Sequence, residues 1–298
     1  MSRVSECAWC GAELPPGDRP LRGRVECPRC GTATTDPWPT PEQLEQAYAG
    51  WYRPAEGRFS GVGDAVLRRS RGTLARRLDR IGPPGPVLDV GAGDGSLLDA
   101  VRAGGRTAVG LERESARPDI REMDILDLDE EGWAAIVFWH SLEHHHAPAE
   151  ALAHAVQLVA ERGAIVVAVP NSASLQAKAF GDRWLALDPP RHLVHLTASA
   201  LVSRLRDLGM RVARVSHVRG GQVVFGWLHG LVGTVPGTAD LYDAIRRPEA
   251  RQTTPSGGER AFALAAGAAL LPVAAVAAAS EVALRRGGTV YIEAVREP

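Results

Sequence analysis

Residues 140–146 read His-Ser-Leu-Glu-His-His-His, four histidines and one glutamate in seven positions. Side chains of these types, packed this closely, can move protons or hold a metal ion. His140, Glu143 and His144 even match H-x-x-E-H, the inverted zinc-peptidase pattern. That pattern needs continuous helix, so that both histidines share one face. Here the apolar run 134–139 ends at His140, and Pro148 suits the first turn of a later helix. The cluster is therefore expected at a strand exit, and the peptidase reading falls. Glu143 and His144 become candidates for proton transfer, a near-neutral histidine being suited to a base role. A metal-assisted version stays open. His145 and His146 are expected to face solvent, and His154, inside a helical pattern, to be structural.

A second candidate set is Asp188-Pro189-Pro190-Arg191-His192. Two prolines stiffen the approach, so Arg191 and His192, with His195, can face a bound acceptor. The competing reading is a loop knit together by Arg191 and nearby carboxylates. Trp184 either packs an acceptor or closes the core.

All four cysteines lie in the first 30 residues: Cys7, Cys10, Cys27 and Cys30, spaced C-x2-C-x16-C-x2-C. Two tight turns of this kind aim four thiolates at one point, which suits a closed, structural zinc site. Gly11 and Gly31 follow the second cysteine of each pair, where such a knuckle needs a left-handed residue. Two disulfides or free thiols are the alternatives. In this module Arg3, Arg19, Arg22, Arg24 and Arg29 balance Glu6, Glu13, Asp18, Glu26 and Asp36. It thus has no cationic surface for gripping RNA.

The third chemical element is a glycine loop. Val-Leu-Asp-Val at 87–90 reads as a short strand, Gly91-Ala92-Gly93-Asp94-Gly95 turns the chain, and a helix opens at Ser96. Glycines there let backbone approach a nucleotide closely. Glu112 ends the next strand, 19 positions after Gly93, where a carboxylate can accept both hydroxyls of a ribose. A dinucleotide fingerprint wants Gly or Ala where this chain has Ser96. With Asp89 just ahead of the loop, the pattern suits an adenosine cofactor with no phosphate and a cationic aminoacyl end. S-adenosylmethionine has that chemistry.

The elements that must position these groups follow from period and punctuation. Thr40 caps a helix over 41–50, and a second helix covers 64–81. Trp51-Tyr52 lies between them. The arginine-rich stretch 53–80 holds eight arginines and three acids, and reads as a solvated face or a surface for an anionic substrate. Strands are expected at 86–90, 106–112, 119–123, 134–139, 164–169, 210–218 and 289–295. Helices are expected at 148–160 and 197–208. This alternation means an α/β, mostly parallel sheet. The proline-rich 36–41 marks a boundary, dividing the chain into a module at 1–36, a helical linker or lid at 37–84 and a main domain at 85–298.

The motifs 87–95, Leu111-Glu112, Met123-Asp124-Ile125 and Ile136–His144 together resemble the class I S-adenosylmethionine-dependent methyltransferases. The resemblance covers roughly 45–225 plus the last strand. Residues 180–197 are similar to a bacterial subgroup that often carries a cysteine-paired N-terminal module. The resemblance implies a Rossmann-like seven-stranded methyltransferase sheet, a small zinc-ribbon module and a helical insertion, about 222–287, before the last strand. It implies that Asp89, Gly91, Ala92, Gly93 and Gly95 line the cofactor's amino acid and ribose, and that Glu112 binds the ribose hydroxyls. Asp124 would meet the adenine amine with Ile125 beside the ring, and Trp139 and His140 would lie near the methyl. Glu143 and His144 match the family's Glu-His pair, with His192 the third catalytic candidate.

Residues 261–284 contain one charge, Glu281. The run is long enough for a bilayer. Pro272 is expected to split it into a helical pair, and strands on either side should share one sheet, which argues against a single span. Packing on the domain, a homo-oligomer, or contact with a membrane surface or lipid-like substrate all stay open. The formal net charge is -1, giving no field for nucleic acid. The start of the chain has no apolar run, so the expected location is cytoplasmic, with peripheral membrane attachment open. The expected function is methyl transfer to a small acceptor such as a sugar, polyketide-like or lipid-linked metabolite. The rivals are an RNA or protein methyltransferase that reads with the ribbon, and a non-catalytic S-adenosylmethionine-binding scaffold.

Overall fold

The computed structural model describes residues 3–15, 23–49, 62–218 and 221–298. Trp51-Tyr52, Asp18, Arg19, Arg22 and residues 53–61 of the arginine-rich stretch lie outside the described residues.

In chain order the elements are β1 (Arg24–Glu26), β2 (Ala33–Thr35), α1 (Pro41–Ala49), α2 (Val62–Ile81), β3 (Val87–Val90), α3 (Ser96–Ala103), β4 (Ala108–Glu112), β5 (Ile120–Glu122) and β6 (Trp133–Trp139). There follow α4 (Pro148–Leu158), β7 (Val159–Pro170), α5 (Leu175–Phe180), β8 (Val194–His195), α6 (Ala198–Asp207) and β9 (Met210–Ser216). The chain closes with α7 (Gly221–Val232), α8 (Leu241–Ile245), α9 (Gly257–Ala283) and β10 (Thr289–Arg296).

Seven strands form one sheet in the order β5-β4-β3-β6-β7-β10-β9. β3 to β7 run parallel, and β10 is inserted antiparallel between β7 and β9. This is the seven-stranded sheet that the alternation predicts. Its central strands are buried on both faces, which is why they read as unbroken apolar runs. One face packs Val87, Ala135, Val137 and Val166 against Leu74 and Leu78 of α2 and Leu97, Leu98 and Val101 of α3. Each such fully buried leucine contributes about 2 kcal/mol. The other face packs Leu88, Val90, Ile136, Phe138 and Val167 against Leu152 of α4 and Leu201 and Leu205 of α6.

That second core runs without a break into the N-terminal module, through Cys7, Trp9, Leu14, Val25 and Cys27. The module also shares a sheet with the main domain. β1 and β2 pair antiparallel, and β2 pairs with β8 through Ala33 with His195 and Thr34 with Val194.

Helix α9 corrects one expectation. It passes straight through Pro272 as a single helix of 27 residues rather than a split pair. A proline removes one hydrogen bond and crowds the carbonyl four residues back. Here both Pro272 and Ala268 lie on the exposed side, so the freed carbonyl meets no buried neighbour. Ser256 and Glu259 form a capping box at its start.

Candidate functional site

The carboxyl ends of β3, β4 and β6 meet in one crevice, the place where open α/β sheets bind ligands. The glycine loop is pinned to β4, since Gly91 N and Ala92 N both donate to Leu111 O, at 2.8 and 2.9 Å. Gly91 has φ +79°, and a Cβ there would lie 2.4 Å from that of Ser141. Only glycine lets the loop pass so close to the turn after β6. Ser141 Oγ returns a hydrogen bond to Val90 O.

Glu112 Oε2 accepts from Gly93 N at 2.8 Å, and Oε1 accepts from Arg113 N at 3.0 Å. The ribose candidate therefore already braces the loop it would share with the ligand. Asp89 is buried at the end of β3, and among the described residues its Oδ1 has no hydrogen-bond partner. Burial pushes its carboxyl up to about 7, while Arg71 pulls the other way and Glu112 adds to the rise. A buried acceptor with nothing to accept is the feature expected where a ligand's cationic amino group docks.

Asp124 caps the short 3-10 turn Ile125–Asp127 by accepting from Leu126 N at 2.9 Å. It also stands 3.5 Å from His145 Nδ1, and that histidine is the main cause holding its carboxyl low. His145 is thus half-buried against Asp124 and Phe138, and not solvent-facing as the sequence suggests. His146 is exposed, beside Trp38. Ile125 lies wholly in the core. His154 Nε2 bonds Leu128 O, a structural role.

At the exit of β6 the Trp139 ring is capped by the Arg71 guanidinium, 4.7 Å from its centroid. Further along α2, Arg77 pairs with the buried Glu293 of β10. His140 follows at φ +54°, a strained angle for a residue with a side chain. Its Nε2 lies 3.3 Å from Gln222 Nε2 at the start of α7.

Glu143, His144 and His192 come together as the sequence predicts. Each offers a ligand atom, and those atoms lie within 4.8 Å of one another. Glu143 is 1% exposed, and among the described residues neither of its oxygens has a hydrogen-bond partner. His140 Nδ1 and His192 Nε2 approach Oε1 only to 3.6 and 3.9 Å, beyond hydrogen-bond length. Burial alone would raise this carboxyl, but the imidazoles of His140, His192 and His144 outweigh it and hold it at about 2.

The histidine tautomers follow from their backbone partners. His144 Nδ1 lies 2.9 Å from Arg191 O, and His192 Nδ1 lies 2.9 Å from Ala186 O. A carbonyl only accepts, so each Nδ1 carries a proton, and in the neutral imidazole the lone pair is left on Nε2. Burial, followed by the charge of His192, pushes His144 down to about 3. It stays neutral at pH 7 and is not the near-neutral base that its sequence neighbourhood suggests.

Arg191 bonds Asp188 within the loop, as the knitted-loop reading expected. Trp184 is buried with Phe180 and Leu187, closing a core. His195 is buried, and burial pushes it down to about 3. The residues missed in the sequence are Thr35, Tyr48, Arg71 and Gln222. Tyr48 OH lies 3.1 Å from His144 Nδ1. Its place one turn after Leu44 on a predicted helix was the available signal.

The four cysteine sulfurs form their own cluster, within 4.8 Å of one another. Cys7 and Cys30 sulfurs stand 3.7 Å apart, Cys10 and Cys27 sulfurs 3.6 Å, too far for disulfides. Those separations match the edge of a tetrahedron with metal–sulfur bonds of about 2.3 Å. Gly11 and Gly31 close the two knuckles at φ +67° and +69°.

The family model described as "Methyltransferase domain" matches residues 66–215. No curated protein matches this chain. Among solved structures, the [4+2]-cyclase SpnF is similar at 18% identity, over 87% of this chain and 97% of that one, with a TM-score of 0.51. That likeness bears on the fold alone. A SAM-dependent methyltransferase from Archaeoglobus fulgidus shares 16% identity over 76% and 94% of the chains, with a TM-score of 0.45. Magnesium protoporphyrin IX methyltransferase from Synechocystis, with SAH bound, shares 13% over 85% and 96%, with a TM-score of 0.47. With the family model spanning half the chain and the glycine loop, Asp89 and Glu112 set at the strand ends, the chain belongs to the S-adenosylmethionine-dependent class I methyltransferases.

Proposed function

We propose that this enzyme methylates a hydroxyl of a small-molecule acceptor bound between Trp139, Tyr48 and the Glu143–His144–His192 cluster, and that its four cysteines hold a structural zinc. The observation that carries the reading is the Glu143 carboxylate, buried with both oxygens lacking hydrogen-bond partners among the described residues. Such a group costs stability unless a ligand completes it.

S-adenosylmethionine supplies an already activated methyl group on a sulfonium. Asp89 would take its amino group and Glu112 its ribose, leaving the methyl toward Trp139 and His140. The chain's remaining task is to align the acceptor and remove its proton. His192 Nε2 has the lone pair to receive that proton as the carbon–oxygen bond forms and the carbon–sulfur bond breaks. The Glu143 carboxylate, 3.9 Å away, stabilises the resulting imidazolium.

A second reading of the cluster rests on one observation. Glu143, His144 and His192 each offer one ligand atom, and the three atoms lie within 4.8 Å of one another. A divalent cation would satisfy all three and lower the acceptor hydroxyl's pKa. Titration with Mn2+, followed by its electron-spin signal in wild type and in Glu143→Gln, separates the readings.

The test of the proposal is transfer of labelled methyl to panels of hydroxylated small molecules, with RNA and protein in parallel. Label in the small-molecule fraction, reduced about 100-fold by Glu143→Gln at unchanged S-adenosylhomocysteine affinity, supports it. Label in RNA or protein would move the acceptor to the rival class.

A further inference from the structure

Helix α9 has an exposed surface that nothing in the methyltransferase reading uses. Its buried positions form one stripe of small residues, Ala263, Gly267, Ala274 and Ala278, ending in Glu281. The stripe faces α7 and α8; a Cβ on Gly267 would touch Leu241 at 3.5 Å. Glu281 locks the helix down by accepting from Gln176 N, Gln176 Nε2 and Trp227 Nε1.

Ala266, Leu270, Ala277 and Val282 flank the stripe half-buried, and the remaining positions are exposed. At about 100° per residue, the exposed arc covers roughly 220° of the circumference. Of the ten exposed large hydrophobic residues among those described, six lie on α9 or at its C-cap: Phe262, Leu264, Leu271, Val273, Val276 and Leu284. Val276 is 68% exposed. The helix is long and apolar enough to cross a membrane, and only 22% of its most apolar window is buried. From Ala261 to Leu284 its outer surface carries no charge, since Glu281 is the only ionised residue there and is buried. Exposed arginines stand at both ends: Arg260 at the start, next to the exposed Glu259, and Arg285 with Arg286 at the finish.

We propose that this face of α9 lies in the headgroup boundary of an anionic phospholipid membrane, its apolar arc in the acyl layer and the terminal arginines on phosphates. The arc argues for lipid over a second copy. A partner helix covers a stripe, as α7 does, whereas Leu264 and Leu271 point to the side opposite Val273 and Val276. A fluid apolar phase wets both sides at once. An uncharged arc that ends in the Arg285-Arg286 pair matches the layering of an anionic interface. The helix lies in the plane and does not span. β9 and β10, which flank the insertion, pair in one sheet, and α7, at 12 residues, is too short to bring the chain back across. α7 also carries Gln222, whose contact with His140 joins the lipid-facing bundle to the candidate acceptor site.

The test is flotation of the full-length protein with vesicles of phosphatidylcholine alone and of phosphatidylcholine mixed with phosphatidylglycerol. The expected result is binding to the mixed vesicles, weakened by salt and weaker on phosphatidylcholine alone. The double variant Leu271→Glu with Val276→Glu should bind the mixed vesicles at least about tenfold less, with unchanged S-adenosylhomocysteine affinity as the check on folding. No flotation with either vesicle overturns the proposal. A concentration-dependent dimer abolished by the same variant assigns the face to a second copy and overturns it equally.

Discussion

Thr35 Oγ1 donates a 2.7 Å hydrogen bond to the backbone carbonyl of His192, 157 residues further along the chain. Having given its one proton, the hydroxyl accepts from His195 Nε2 at 3.2 Å. All three residues are buried. Thr35 sits on β2 of the cysteine module, five residues after Cys30, so the module holds the loop that presents His192. Thr35→Val keeps the shape and leaves the carbonyl and the imidazole unsatisfied. It should cost about 1–3 kcal/mol of stability. Methyl transfer should fall while S-adenosylhomocysteine affinity holds, which calorimetry beside an activity assay would check.

The zinc proposed for the module should matter to the acceptor loop for the same reason. Cys27→Ser, or extraction with a strong chelator, removes the point that ties both knuckles together. Hydrogen exchange should then quicken over 23–35 and 188–196, with 87–112 protected as before. Equal loosening of the glycine loop would show that the module stabilises the whole fold and not the loop in particular.

As the proposed partner of the cofactor's amino group, Asp89 should make cofactor binding pH-dependent. In the free protein, burial holds its carboxyl at about 7. Pairing with an ammonium group requires the ionised form, so a proton leaves when the ligand docks. Affinity should rise as pH increases through 7 and fall by up to about tenfold per unit below it. Calorimetry in two buffers of different ionisation enthalpy should report proton release at pH 6, and Asp89→Asn should abolish it.

Glu112→Ala should weaken S-adenosylhomocysteine by about 1–3 kcal/mol, since it loses the charge-assisted bonds to ribose and the brace on Gly93 N. Glu112→Gln retains an acceptor for Gly93 N and should fall between. Equal loss in both variants would assign the effect to charge alone.

The parts of this site that were legible in the sequence share one property: they are local. Gly91, Gly93 and Glu112 declare themselves because a strand, a left-handed turn and a helix must follow in that order. β6 could be read because both its faces are buried, so no polar residue interrupts it. Thr35 could not, since its partner is set by the pairing of β2 with β8, and nothing within ten residues of it signals that contact. His145 misled because one exposed-looking histidine run holds successive side chains in different surroundings, His145 against Asp124 and His146 at the surface. Pro272 misled for a matter of scale. Its cost of about 3 kcal/mol is real, but an alanine-rich helix with a capping box and the Glu281 anchor outweighs it.

Cofactor use is best tested by calorimetric titration of the purified, zinc-supplemented protein with S-adenosylhomocysteine, with NAD as control. Binding in the micromolar range, on the order of -8 kcal/mol, is expected for S-adenosylhomocysteine alone. A folded protein that gives no heat with S-adenosylhomocysteine, or that binds NAD as well, would contradict it.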